Sequence, residues 1–286
     1  MKRKHYDNYD YEEAYQKQID TLTEWELEQM LKGKQINSLY RTTTTKAGDQ
    51  LEADIYPSFG KKQDEPRTKR KRESRPSQKN LNDKRARRYL NNLTAANFGK
   101  GDLWGTFSYD EDHLPGSIDE ATKIFGNFIR KINRKRKKQG KENLKYIYVT
   151  EYSGDPKKGI RCHHHMIFSG DEDRDEIEKL WTYGSRTQTR RLDPDPDTHI
   201  AGLVHYLAKD PKGKKRWSAS RGLKKPEVSR SYSKFGKKTA ERMATDHEFL
   251  KKQLLKKYPG YKFIDAEVNV NGINGGYYIY ARMVQD

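Results

Sequence analysis

From residue 103 onward the hydrophobic period of this chain switches repeatedly between about 2 and about 3.6, and no other feature restricts the fold as much. LWGTFSYD (Leu103–Asp110) alternates as a strand does, and turn residues follow at His113–Gly116. Ser117 and Glu120 stand at capping-box spacing. Behind them Ala121, Ile124, Phe125, Phe128, Ile129 and Ile132 recur with the helical period, and a basic tail, Arg130–Lys138, ends at Gly140. LKYIYVTEY (Leu144–Tyr152) and HHHMIFSG (His163–Gly170) read as two strands, joined by the turn chemistry of SGDPKKGIR. Two helices, DRDEIEKLW and HIAGLVHYLAKD, come next. This order predicts an α+β fold with a mostly antiparallel sheet flanked by helices.

The rest of the chain is more polar. The expected division is a basic, partly flexible N-terminal extension over 1–80, a central domain over 81–230, and a C-terminal helix and hairpin over 231–286 packed on it. Within the extension, TLTEWELEQMLKGK has a narrow apolar stripe, and DQLEADIYP reads as a short strand stopped by Pro57. Residues 60–90 suggest a solvated arm or a helix wetted on all sides. The C-terminal part predicts one helix over about 237–257 and a hairpin turning at Gly272–Gly276.

Composition narrows the function classes. Only 32% of the 286 residues are hydrophobic, no apolar run reaches the ~18 residues of a membrane span, and the N-terminus lacks an apolar signal region, so a cytoplasmic protein is expected. One cysteine, Cys162, permits neither an internal disulfide nor a multi-cysteine zinc site. The formal charge of +18 points to a polyanion, with nucleic acid ahead of a membrane surface.

The run Cys162-His163-His164-His165 carries the sharpest chemistry. On a strand His163 and His165 share one face and His164 takes the other. If the hairpin is centred near Lys157, Glu151 lies across from His163, and two imidazoles and a carboxylate then face one another as a metal-binding set. A polar edge strand is the competing reading. Cys162 falls on the face opposite His163, as a small packing residue. A second feature is His205-Tyr206-Leu207-Ala208-Lys209. With Ile200 at zero, Tyr206 falls at about 240° and Lys209 at about 180°, off the apolar stripe and adjacent to each other. A phenol beside an ammonium and a metal is easier to deprotonate, although a tyrosine on a helix flank is commonly packing or surface.

Taken together, LWGTFSYDEDHLP, then HHHMIF, then YLAK resemble the HUH endonuclease superfamily, and within it the single-tyrosine rolling-circle replication initiators of plasmids, phages and integrative elements. The resemblance covers about residues 80–230. It implies the superfamily's ferredoxin-like or RRM-like central sheet. It makes His163, His165 and Glu151 the ligands of Mg²⁺ or Mn²⁺, Tyr206 the nucleophile and Lys209 its partner. In the family the middle residue of His-x-His is generally bulky and apolar; here it is His164. Asp210 stands where the two-tyrosine branch has its second tyrosine.

What the resemblance implies is sequence-specific nicking of single-stranded or hairpin origin DNA. A 5′-phosphotyrosine forms, and a free 3′-OH is left to prime a host polymerase. No GxxxxGK[ST] run is present, so unwinding would fall to a host helicase. DNA contact is expected from Arg130, Lys131, Arg134 and Lys135, from Lys214, Lys215 and Arg216 with Trp217 stacking a base, and from Lys224 and Lys225. A homodimer stays open. So do a relaxase, a single-strand transposase and a noncatalytic DNA-binding regulator.

Overall fold

The computed structural model describes residues 17–18, 23, 39–58, 76–152, 161–195, 217–272 and 275–286. Contacts divide the chain into two compact units: Met1–Arg88 with Pro226–Asp286, and Tyr89–Lys225. Both are α+β with antiparallel sheets. Among the described residues no helix is long and apolar enough to cross a membrane.

The Tyr89–Lys225 unit holds the patterned region. Its five strands are β4 (Leu103–Ser108), β5 (Tyr146–Glu151), β6 (His163–Phe168), β7 (Gln188–Arg191) and β8 (Ser218–Ala219), in the order β7-β4-β6-β5-β8. The histidine strand β6 is therefore central, paired on both sides, which removes the edge-strand reading. Its register with β5 places Glu151 opposite His163, Val149 opposite His165 and Ile147 opposite Ile167. On the other side Ser108 faces His163 and Thr106 faces His165.

Helices α2 (Ile118–Lys138) and α3 (Arg174–Leu180) cover one sheet face. Ser117 Oγ caps α2 by accepting the Glu120 N–H at 3.1 Å, while Glu120 Oε2 accepts the Gly116 N–H at 2.8 Å. Phe125, Phe128, Ile129 and Ile132 of α2 then bury against Leu103, Phe107, Met166 and Phe168. Burial of each such side chain contributes about 1.5–3 kcal/mol. Gly105 makes room for that layer, since a Cβ there would lie 2.6 Å from the Phe107 ring. On the other face the C-terminal half of α1 (Pro76–Ala95) sends Leu90 and Leu93 onto Ile147 and Ile167. This hydrophobic cover includes neither Glu151, His163 nor His165.

The other unit is a six-stranded sheet in the order β1-β10-β11-β3-β2-β9, from β1 (Lys17–Gln18), β2 (Leu39–Ala47), β3 (Gln50–Ser58), β9 (Glu227–Ser231), β10 (Tyr261–Val270) and β11 (Tyr277–Gln285). The strand expected at DQLEADIYP is β3, and it continues through Pro57, which is paired to β2 at Tyr40. Its hairpin partner β2 was not foreseen. Thr42 and Thr44 are its buried positions, so threonine stands where an apolar alternation would have marked a strand. The polar 60–90 segment ends in α1, and the expected helix over 237–257 is two helices, α4 (Lys237–Thr245) and α5 (His247–Lys257). Asp246 breaks it: its backbone leaves the helical region at φ −133°, ψ 99°, and its carboxylate caps α5 by accepting the Phe249 N–H at 2.9 Å. The C-terminal hairpin β10–β11 forms as expected and pairs with β3. The expected three-segment division followed composition along the chain. The contacts instead join its two ends in one unit and place the junction inside α1, between Arg88 and Tyr89.

Candidate metal centre

Three neighbouring strands converge on one spot of the sheet face that α2 does not cover. His163 and His165 stand two residues apart on β6, and Glu151 is at the end of β5. His163 Nε2 lies 3.2 Å, and His165 Nε2 4.0 Å, from Glu151 Oε2. The two imidazoles are nearly perpendicular, with centroids 4.7 Å apart. Among the described residues this is the one group of three or more His, Cys, Asp or Glu side chains whose ligand atoms all lie within 4.8 Å of one another.

The far sides of the two rings are held as ligand imidazoles are held. His163 Nδ1 is 2.8 Å from the Arg161 carbonyl. A carbonyl only accepts, so Nδ1 carries the proton, and the Nε2 lone pair is left facing Glu151. His165 Nδ1 is 3.1 Å from Thr106 Oγ1, and the ring stacks on Trp104 at 5.2 Å and 12°. Such outer contacts fix tautomer and ring orientation, and they raise the basicity of the nitrogen that binds the ion. Two neutral imidazoles and one carboxylate suit a divalent cation and leave coordination positions open. The residues fit the metal that the sequence resemblance implies.

His164, between them, does something else. It is fully buried on the α2 face, stacked on Phe125 at 4.1 Å and 22°. Its Nε2 is 2.8 Å from the Tyr109 hydroxyl and its Nδ1 2.9 Å from Thr150 Oγ1. Burial, reinforced by His163 and His165, pushes its pKa well below the usual imidazole value, so the ring is neutral. Burial likewise raises the Tyr109 phenol, keeping it protonated. Cys162 is buried in the same core, its thiol pushed up to about 12, in keeping with a packing role.

The remaining expected site residues fall in three places. Tyr206, Lys209, Lys214, Lys215 and Arg216 lie outside the described residues. Arg130, Lys131, Arg134 and Lys135 ride on α2, across the sheet from Glu151, His163 and His165, so the structure does not gather them at the metal centre. Lys135 is moreover paired to Glu176 of α3. Trp217 is half-buried against Tyr89 and the Leu90–Ile147–Ile167 cluster. Lys224 and Lys225 are exposed, and the backbone of Lys224 is clamped by the Asn97 amide through two 2.8 Å hydrogen bonds.

Sequence reading missed the supporting residues Trp104, Thr106, Tyr109 and Thr150. The parity of β4 carries a signal for two of them, because Trp104 and Thr106 alternate onto the same face once the register is known. A close approach also shapes the strand end. Gly184 lies so near the Ser108 carbonyl that a Cβ would stand 2.2 Å from its oxygen, and Trp181 Nε1 donates to that oxygen at 2.7 Å.

Residues 102–211 match a family model for replication-associated proteins of the ORF2 type. No curated protein and no solved structure matches the chain. The matched span falls within the Tyr89–Lys225 unit and includes the metal-centre residues together with Tyr206 and Lys209. It supports a replication initiator protein.

Proposed function

We propose that the protein initiates rolling-circle replication by metal-dependent nicking of single-stranded or hairpin origin DNA, with Tyr206 as nucleophile. The observation that carries this reading is the Glu151–His163–His165 cluster, built on the strands of the segment that matches a replication-associated family. A protein that only bound DNA would have no use for two imidazoles whose ε-nitrogens converge on a carboxylate.

His163, His165 and Glu151 would hold Mg²⁺ or Mn²⁺. When bound, such an ion polarises a phosphoryl oxygen and offsets the charge that develops at phosphorus. Thr106 and the Arg161 carbonyl orient the imidazoles, and Trp104 fixes the plane of His165. Tyr206 gives up its phenolic proton and its oxygen attacks the scissile phosphorus. The bond from phosphorus to the 3′ oxygen breaks, leaving a 5′-phosphotyrosine and a 3′-OH. Lys209 favours the phenolate by its charge. The phosphodiester is conserved in the covalent link, so rejoining needs no nucleotide, and the 3′-OH primes a host polymerase behind a host helicase. Lys224 and Lys225 contribute phosphate contacts. This chemistry is that of an HUH nickase acting in the cytoplasm.

The test is incubation with labelled single-stranded DNA from the region flanking the gene, with Mn²⁺ and with EDTA, followed by a denaturing gel. A metal-dependent band that survives SDS, maps to Tyr206 by mass spectrometry and vanishes in Tyr206→Phe is expected. A covalent adduct that persists in Tyr206→Phe contradicts the nucleophile assignment. Retarded DNA on a native gel without a covalent band in any metal favours a noncatalytic binder.

A further inference from the structure

The cations of α2 are divided sharply between its two flanks. On one, Lys135 pairs with Glu176, while Arg136 is buried and held by Asp171 and Glu172. On the other, Arg130, Arg134 and Lys137 follow at i, i+4 and i+7 and line a groove of about 440 Å³ together with Asn133 and Asn143. No acidic side chain among the described residues stands within 4 Å of these three cations, in contrast to their neighbours one residue on. Arg130 donates to the Asn127 amide oxygen, and Arg134 Nε lies 3.4 Å from the Arg130 carbonyl. Like charges four residues apart destabilise a helix, so the stripe has a structural cost that the paired flank avoids. Nor does an aromatic ring line the groove, so it offers phosphates a row of cations about 10 Å long but offers bases nothing to stack on.

From this we infer that the outer flank of α2 is a second DNA site, which binds the phosphodiester backbone of duplex DNA on the sheet side opposite the metal centre. The helix carries Phe125 onto His164, so the groove and the Glu151–His163–His165 face are separated by the sheet itself. A duplex held there would lie next to the single strand that the metal centre acts on, as the double-stranded flank of an origin does. The inference deepens the proposed function by adding a duplex contact, and it is tested without nicking.

The experiment measures the affinity of the full chain for a duplex of arbitrary sequence across a series of salt concentrations, in EDTA. Each neutralised phosphate contributes about −0.9 to the slope of log K against log[salt], so Arg130→Gln/Arg134→Gln/Lys137→Gln should flatten the slope by about 2 to 3. The same triple change at exposed Lys123, Lys179 and Lys251 should leave it within about 1 of the wild-type value, and Arg134→Lys should preserve it. Circular dichroism of the groove triple should show an unchanged or higher melting temperature, because it relieves like-charge repulsion. An unchanged slope in the groove triple, an equal loss in the control triple, or no duplex binding by the wild type each overturns the inference. So does a loss confined to a single strand of equal length. Adduct formation on a short single strand reports separately on the nicking chemistry and is expected to survive in the groove triple.

Discussion

His163, His164 and His165 are one residue type on one strand, yet they belong to two different regions of the molecule. The odd-numbered pair stands on an open sheet face with ε-nitrogens turned to Glu151. The middle ring is sealed among Phe125, Tyr109 and Thr150 on the face that α2 covers. What separates a ligand from a core residue here is strand parity and the company each face keeps. On the open face the hydrogen bonds go to Nδ1 and orient Nε2, whereas on the closed face they take up both nitrogens and leave no lone pair for an ion.

Substitutions on either side of the strand are the sharpest way to break this contrast. The largest effect is expected from His163→Ala, which should cut formation of the covalent DNA adduct by at least about 100-fold, since losing a ligand costs more than losing its outer partner. A gel assay at saturating Mn²⁺ reads it. Next comes His164→Ala, with the opposite signature. It opens a cavity beside Phe125 and strips the partners from two hydroxyls, so thermal unfolding should show a loss of about 2–4 kcal/mol while most of the cleavage remains. Equal loss of cleavage in both variants would abolish the distinction between the faces.

A matched pair of isosteric changes then sharpens it. Thr106→Val removes the hydroxyl at His165 Nδ1 and should weaken Mn²⁺ binding about 10–100-fold, as seen by calorimetric titration. Thr150→Val removes the hydroxyl at His164 Nδ1 and should leave Mn²⁺ affinity alone while costing about 1 kcal/mol in denaturant unfolding. If the two valines act alike on metal affinity, the hydrogen bonds do not sort the rings in the way described.

The metal centre was legible in the sequence because it rests on local rules. His163 and Glu151 are equidistant from Lys157, a turn-rich segment joins them, and β6↔β5 pairing follows with a period of two. Ser117 and Glu120, the helical repeat of α2 and the packing role of Cys162 were local in the same sense. What could not be read depended on distance or on composition that misleads. The sheet of the other unit pairs Leu51 with Met283 and Thr45 with Val228, partners more than 180 residues apart. The TTTT run hides a strand because threonine supplies its buried positions, and Asp246 splits one helical pattern by capping its second half. The basic residues of α2 were drawn toward the site by their proximity in sequence, and the fold carries them to the other side of the sheet.

The most direct test of the central claim is Mn²⁺ binding followed by electron paramagnetic resonance on the wild-type chain, His163→Ala and His164→Ala, each confirmed folded. The account predicts one Mn²⁺ bound by the wild type, retained in His164→Ala and lost in His163→Ala. Equal binding by both variants, or loss in His164→Ala with retention in His163→Ala, would contradict it.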